Sequence, residues 1–321
     1  MSLSRRRFMT ISAGLALGAS VPSAIAAGAS TPPTVWRGIA LGADAKLVLT
    51  GLPKPEAARL IALARAEINR LETIFSLYRT DSVLSELNRT ESLENPPPEL
   101  LNLLSIASAA HTATGGLFDP TIQPLWQAYA EHQGKPPQAA VKAAMRSIGW
   151  QSVQFDGQGV FFQKPGMALT LNGIAQGFIS DAIARLLKAE GLENAIVSLG
   201  EISALGHTST GETWQVGLAT HGDEAAEETI PLTDQSVATS APTGTTFDGK
   251  TSHILNPKTG KPAASAWQRL SVIHKSAAMA DGLSTGLVLM DEREVRDVVE
   301  GVGCVWVVGQ RRDRGMVRIG G

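Results

Sequence analysis

Apolar residues recur along much of the chain every three or four positions, which is the period of an α-helix with one buried face. Start and stop signals flank some of these segments. Pro96-Pro97-Pro98 precedes the second segment and Gly115-Gly116 follows it, as expected for the two ends of a helix. The spacing predicts helices over residues 55–78, 99–113, 139–147, 173–190, 276–290 and 292–300.

Shorter segments with alternating or continuous apolar residues predict strands between those helices. Residues 36–50 alternate around a Gly42-Ala43-Asp44 turn and predict an opening pair of strands. Further strands are expected over residues 152–155, 159–163, 168–171, 195–199, 214–219, 236–239, 268–273 and 304–308. Because strands and helices do not alternate regularly, the order favours an α+β fold over a doubly wound parallel sheet.

Composition and charge narrow the class of protein. The 321 residues are enough for one large domain, and 28 basic against 30 acidic residues give a formal net charge of −2. This balance argues against a nucleic-acid-binding protein, which normally carries a basic excess. The single cysteine, Cys304, excludes an internal disulfide and a multi-cysteine metal site. Its apolar surroundings predict a buried, inert thiol.

The N-terminus has the features of an export signal. Arg5-Arg6-Arg7 and Phe8 precede a weakly apolar run over residues 11–21, and Ala24-Ile25-Ala26 is a small-x-small cleavage site. The run is far shorter than the roughly 20 residues of a membrane anchor. We therefore expect a twin-arginine signal over residues 1–26, recognition by the twin-arginine export machinery, a periplasmic mature protein, and a linker over residues 27–35.

Three segments contain side chains or backbone suited to chemistry. Residues 170–177 pass from a predicted strand into a helix and could offer N–H groups to a phosphate, although a plain junction is the simpler explanation. Asp281 and Thr285 share one helix face, where they suit a hard cation such as Mg²⁺; a structural aspartate is the alternative. His253 could be a general base near neutral pH, or a structural histidine.

Seven short motifs occur in an order that resembles the ApbE family of FAD:protein FMN transferases, from about residue 36 to residue 308. Each motif is modest alone, but the set in this order is specific. The motifs are Ser76-Leu77-Tyr78 with residues 82–88, residues 116–121, the 173–177 junction, Ser198-Leu199-Gly200-Glu201, Ala238-Thr239-Ser240, residues 252–260 and residues 280–285.

The resemblance implies one T-fold-like unit over residues 36–321, with two lobes and FAD in the cleft between them. It also implies that Mg²⁺ is held by Asp281, Thr285 and the Gly173 carbonyl, and that His253 acts in the transfer step. The reaction it implies moves FMN from FAD to a Thr or Ser hydroxyl of an acceptor flavoprotein and releases AMP. The implied FAD contacts are Leu41, Tyr78, Leu117, Phe118, Asp119, Thr170, Gln176, Ile254 and Leu255.

Several positions depart from the usual family pattern. Residues 170–173 read Thr-Leu-Asn-Gly where Asp-Leu-Gly-Gly is usual, and Gln176 stands where Lys or Glu is usual. Asn256 replaces an aspartate, and Ala241 replaces a glycine. We expect these changes to affect activity more than fold. Together with the export signal, the variant junction is similar to ApbE-like accessory proteins of nitrous-oxide reductase maturation, for which a membrane-bound flavoprotein is the expected acceptor.

Three functions remain open from the sequence. The first is an exported flavin transferase, the second is a periplasmic FAD carrier with little catalysis, and the third is an FAD hydrolase that uses water as the acceptor. The sequence alone does not decide between them, because the acceptor is a separate chain.

Overall fold

An antiparallel eight-stranded sheet lies at the centre of the computed structural model, which describes residues 32–218, 227–302, 306–313 and 315–320. The predicted export signal and Cys304 lie outside the described residues. In chain order the sheet contains β1 (Thr34–Ala40), β2 (Ala43–Leu49), β6 (Ala195–Ser198), β7 (Ile202–Leu205), β10 (Gln235–Ser240), β11 (Trp267–His274), β12 (Trp306–Arg311) and β13 (Met316–Ile319). These strands are neighbours in the same order.

Two smaller sheets accompany the central one. Three short strands, β3 (Ser92–Glu94), β4 (Val153–Phe155) and β5 (Gly159–Phe162), form one of them, with β5 in the middle. The other is the antiparallel pair β8 (Trp214–Leu218) and β9 (Glu228–Leu232).

The helices of the described residues include all six that the sequence predicts. They are α1 (Lys54–Phe75), α2 (Val83–Thr90), α3 (Pro98–Ala113), α4 (Gln123–Glu131), α5 (Gln138–Arg146), α6 (Ala175–Ala189), α7 (Ala277–Leu287) and α8 (Glu292–Val302), with short 3₁₀ helices at Pro120–Ile122 and Trp150–Ser152. No helix within the described ranges is both long and apolar enough to cross a bilayer.

Hydrophobic cores lie against both faces of the central sheet. One strand can supply both cores, because its successive residues point to opposite sides of the sheet. In β2, Leu47 and Leu49 join the core that contains α1 and α6, whereas Val48 joins the core beneath β8 and β9. The helix-covered side holds two core clusters, one around α1, α3 and α6 and one around α7 and α8. These clusters correspond to the two expected lobes. Helix α7 lies between them, with Ala278 in the first and Leu283 in the second.

The α+β class is confirmed, but some predicted boundaries are wrong. Residues 168–171 are extended without pairing to any strand. The side chain of Asn88 takes the place of a neighbouring strand, since it accepts from the N–H of Leu169 at 2.7 Å and donates to its carbonyl at 2.8 Å. The first strand, β1, begins at Thr34, two residues before the strand expected from residue 36.

Candidate functional site

The proposed metal ligands come together where α6 and the turn before it run antiparallel to α7. A Cβ atom at Gly173 would lie 2.9 Å from the hydroxyl oxygen of Thr285, so the backbone of Gly173 is next to that side chain. One helical turn further along, the N–H of Gly177 donates to Oδ2 of Asp281 at 3.4 Å. Gly173, Asp281 and Thr285 are therefore neighbours in the structure, as the sequence predicts.

A second buried carboxylate, which the sequence places in one of the seven motifs but does not mark as a site residue, interacts with Asp281. It belongs to Glu201, at the turn between β6 and β7, and only 8% of this residue is exposed, compared with 5% of Asp281. Burial raises the pKa of Asp281 to about 8, while the hydrogen bond from Gly177 acts in the opposite direction. Burial, and then repulsion from Asp281, raise the pKa of Glu201 well above its usual value. Two acidic groups thus share a buried site.

The chemistry of these groups fits a hard divalent cation. The Asp281 carboxylate, the Thr285 hydroxyl and the Gly173 backbone are oxygen donors, which Mg²⁺ prefers. A cation beside two buried carboxylates would also relieve their repulsion. Within the described part of the chain, no three His, Cys, Asp or Glu side chains are grouped to hold a metal. A cation here would therefore rely on neutral oxygens as well as carboxylates.

Gln176 lies beside this acidic site, in the first turn of α6. Gly200 precedes Glu201 and has a backbone φ of 103°, a conformation that glycine adopts easily. A Cβ atom at Gly200 would lie 2.7 Å from the amide nitrogen of Gln176, so the missing side chain makes room for that amide. The structure brings this predicted FAD contact close to the proposed metal ligands.

Tyr78, Asn172 and Thr170 form a second group on the other side of the junction. Asn172 Nδ2 donates to the Tyr78 hydroxyl at 3.2 Å, and the backbone N–H of Asn172 donates to Oγ1 of Thr170 at 3.3 Å. Burial raises the pKa of Tyr78, and the hydrogen bond from Asn172 opposes this. The phenol is therefore neutral at ordinary pH, and 46% of the Tyr78 residue is exposed to solvent.

The segment that follows α3 is held against α7. Thr114 accepts from the N–H of Phe118 at 3.0 Å, and His111 Nδ1 lies 2.8 Å from the Phe118 carbonyl oxygen. A Cβ atom at Gly282 would lie 3.7 Å from the Phe118 ring, so this glycine lets the ring lie close to α7. Leu117 packs at the edge of the core cluster that contains α7.

Asp119 has a local structural role in this segment. Its Oδ1 accepts from both the N–H and the hydroxyl of Thr121, at 2.8 and 2.6 Å, and its Oδ2 accepts from the N–H of Trp150 at 3.3 Å. These bonds cap the 3₁₀ helix that begins at Pro120. The carboxylate is thus already bonded to the protein on both oxygens, which limits what it can offer to a flavin.

His253 lies on the long connection between β10 and β11. Its Nδ1 is 2.8 Å from the carbonyl oxygen of Thr245. Burial lowers the pKa of His253, and the bond to Thr245 partly offsets this. The ring is therefore neutral near pH 7. Since a carbonyl can only accept, Nδ1 carries the proton and Nε2 keeps its lone pair.

The two residues after His253 enter different cores. Ile254 packs in the cluster that contains residues of α7. Leu255 joins Leu125 and Tyr129 in the separate cluster beneath α4 and α5. Asn256 closes the next turn, because its Oδ1 accepts from the N–H groups of residues 258 and 259. An aspartate at this position, which is usual in the family, could accept the same two bonds with a carboxylate oxygen.

Leu41, at the turn between β1 and β2, is buried at 8% exposure and has a left-handed φ of 47°. Its N–H donates to a carboxylate oxygen of Glu72 on α1. Because Leu41 and Phe118 belong to the same core cluster, the structure places this predicted contact on the side of the first lobe.

Comparisons with known proteins identify the family of the chain. The model of the ApbE family matches residues 41–306. The chain is 28% identical over 299 residues to the FAD:protein FMN transferase of Salmonella typhimurium, covering 88% of this chain and 83% of the relative. It is 30% identical over 261 residues to the Haemophilus influenzae protein of the same name, covering 75% of each.

Solved structures show the same fold. The flavin transferase ApbE of Vibrio cholerae superimposes with a TM-score of 0.77 at 24% identity, covering 89% of this chain and 97% of the other. The ApbE protein of Thermotoga maritima superimposes with a TM-score of 0.79 at 25% identity, with the same coverage of 89% and 97%.

Proposed function

The chain belongs to the ApbE family, and we propose on that basis that it moves FMN from FAD to a Thr or Ser hydroxyl of an acceptor flavoprotein and releases AMP. The observation that carries the proposal is the grouping of Gly173, Asp281 and Thr285 at a buried acidic site. A site of this kind suits the diphosphate of FAD only when a cation balances the charges.

FAD is the substrate in this proposal. Its flavin would lie against the exposed ring of Tyr78, and its diphosphate would approach the start of α6 near Gln176. Mg²⁺ bound by the Asp281 and Thr285 side chains and the Gly173 carbonyl would neutralise diphosphate oxygens and hold the phosphorus in line for attack. The remaining FAD contacts would come from Leu41, Leu117, Phe118, Asp119, Thr170, Ile254 and Leu255.

His253 supplies the proton acceptor for the transfer. The hydroxyl oxygen of the acceptor attacks the phosphorus of the FMN half, its proton passes to Nε2 of His253, and the bond to the bridging oxygen breaks. AMP leaves and a phosphoester links FMN to the acceptor. The bond from Nδ1 to the Thr245 carbonyl supports this role, because it fixes the tautomer and the ring orientation.

The cellular setting follows from the N-terminal sequence. Arg5-Arg6-Arg7 and the cleavage site at Ala26 support export of a folded protein by the twin-arginine machinery. The acceptor would then be a periplasmic protein or a periplasmic domain of a membrane flavoprotein.

The test measures AMP release from FAD in the presence of Mg²⁺, with and without an acceptor that bears a Thr or Ser flavinylation motif. Flavin fluorescence on the denatured acceptor reports the covalent product. We expect AMP and labelled acceptor only when both proteins are present. AMP release without the acceptor would instead indicate an FAD hydrolase, and FAD binding without AMP under either condition would indicate a carrier.

A further inference from the structure

Helix α7 contacts a segment made of α6 and the turn before it, and the contacts recur every four residues along both. Two of the contacts involve the proposed metal ligands, and the third lies one turn beyond them. Four-residue spacing keeps all of them on one face of each helix. From the site outward, the contacts are Gly173 with Thr285, Gly177 with Asp281, and Asp181 with Ala277.

The third contact has the shortest hydrogen bonds of the series. Oδ1 of Asp181 accepts from the N–H of Ala277 at 2.8 Å, and Oδ2 accepts from the N–H of Ala278 at 3.1 Å and from the hydroxyl of Ser276 at 2.7 Å. The first N–H groups of a helix have no partner within the helix, and a negative charge there is favourable. The carboxylate on α6 thus binds the N-terminus of α7 directly.

Local capping does not explain this arrangement. Ser276 already caps α7, with its hydroxyl accepting from the N–H of Met279 at 3.2 Å. A second cap that comes from another helix adds something different, because it links the position of α7 to that of α6. The link lies one turn from the Gly177–Asp281 hydrogen bond, which is long, at 3.4 Å, and is therefore a weak constraint on the position of Asp281.

We propose that Asp181 is a positioning residue for the metal site. By binding the first turn of α7 to α6, it sets the register of the two helices and so places Asp281 and Thr285 opposite Gly173. Asp181 does not contact the cation or FAD in this proposal. The inference rests on the proposed function, since it concerns the cation site on which that function depends.

The experiment measures Mn²⁺ binding to the FAD-free protein from the electron paramagnetic resonance signal of free Mn²⁺. The variants are Asp181→Ala, Asp181→Asn and the control Asp291→Ala. Asp291 is a local cap of α8, since its Oδ1 accepts from the N–H of Glu294 at 2.9 Å, so its removal takes away a helix cap without touching the link between α6 and α7. Thermal unfolding of each protein separates a loss of stability from a loss of metal affinity.

We expect Asp181→Ala to weaken Mn²⁺ binding by roughly 10- to 100-fold, the usual effect of removing a group that orients metal ligands. Asp181→Asn should have a smaller effect, because its amide oxygen can still accept one N–H. The control should lower the melting temperature and leave Mn²⁺ affinity unchanged. In the transfer assay, added Mg²⁺ should restore much of the Asp181→Ala rate.

Unchanged Mn²⁺ affinity in folded Asp181→Ala, or in Asp181→Asn if the alanine variant fails to fold, would overturn the positioning role. A wild-type protein that binds no Mn²⁺ would overturn the cation site and this inference with it. Mn²⁺ binding that depends on Asp181, in a protein that transfers no FMN, would support the inference and contradict only the transferase proposal.

Discussion

The Nδ1 atom of His253 lies 2.8 Å from the carbonyl oxygen of Thr245, and this contact decides which form of the ring can act as a base. Burial lowers the pKa of the imidazole, so the ring is neutral at pH 7 with its lone pair on Nε2. The next residue, Ile254, is buried in the core cluster that contains residues of α7. The bond to Thr245 therefore orients the ring on a segment that is anchored in the core.

The rate of transfer should depend on pH in a defined direction. Only neutral His253 accepts a proton, so the rate should rise as pH increases through its pKa and then level off. Because burial lowers that pKa below its ordinary value of about 6.5, the plateau should be reached before neutral pH. Initial rates of AMP release with acceptor and saturating Mg²⁺ measure the profile. A rise that starts only above pH 7 would contradict this assignment.

Removing the imidazole should affect the chemical step more than binding. We expect His253→Ala to slow flavinylation by roughly 10²- to 10⁴-fold, the usual contribution of a positioned acid–base group, with little change in FAD affinity. His132→Ala is the matched control, since its Nδ1 also lies 2.9 Å from a backbone carbonyl but the residue is exposed. If His253→Ala lost only stability, with the rate per folded molecule preserved, the histidine would be structural.

The sequence predicts those elements whose apolar residues follow a regular period. Helix α1 is one of these, because a single buried face runs along all of its turns. Strand β7 is missed, since its four residues neither alternate nor form a continuous apolar run, because Ser203 interrupts them. The error at residues 168–171 has a different cause, because whether an extended segment pairs with a strand depends on Asn88, about 80 positions earlier.

The candidate site shows the same limit. Asp281 and Thr285 can be grouped from the sequence because they are four residues apart on one helix. The interaction of Asp281 with Glu201 cannot be read in this way, since it depends on how the turn between β6 and β7 meets α7. The role of Asp119 also could not be predicted, because the hydrogen bond from the N–H of Trp150 comes from a segment about 30 residues away.

Asp281 should make the metal-free protein less stable as pH rises. Its pKa of about 8 in the folded state lies above the ordinary value of 3.8, so the folded protein holds a proton that the unfolded chain releases. The stabilisation is complete below pH 3.8 and is lost as pH rises towards 8. Without Mg²⁺, we expect Asp281→Asn to melt several degrees higher than the wild type at pH 8.

Mg²⁺ should reverse the order of the melting temperatures of the wild type and Asp281→Asn at pH 8. The wild type should gain melting temperature when Mg²⁺ is added at pH 8, because a cation that binds only the folded state stabilises it. Asp281→Asn should gain little, since an amide binds the cation far less strongly than a carboxylate. Calorimetry with and without Mg²⁺ measures both shifts. Equal gains in the two proteins would exclude Asp281 as a ligand.

Gly177 is required for the close approach of α6 and α7, and a matched pair of variants tests this. Alanine normally favours a helix over glycine by about 1 kcal/mol, so the substitution would be stabilising in open space. A Cβ atom at Gly177, however, would lie 2.3 Å from the carbonyl oxygen of Ala277, which is backbone and cannot turn aside. Overpacking of this kind costs about 1–3 kcal/mol or more, so the clash exceeds the gain in helix propensity.

We therefore expect Gly177→Ala to lower the free energy of unfolding and to weaken Mn²⁺ binding, since it pushes apart the two segments that carry the metal ligands. Gly301→Ala is the control, because Gly301 is also helical, in α8, and a Cβ atom there would meet no atom within 4 Å. That variant should be neutral or more stable by up to about 1 kcal/mol, with unchanged metal affinity. Urea unfolding and Mn²⁺ titration of both proteins test the prediction, and it is wrong if Gly177→Ala behaves like Gly301→Ala.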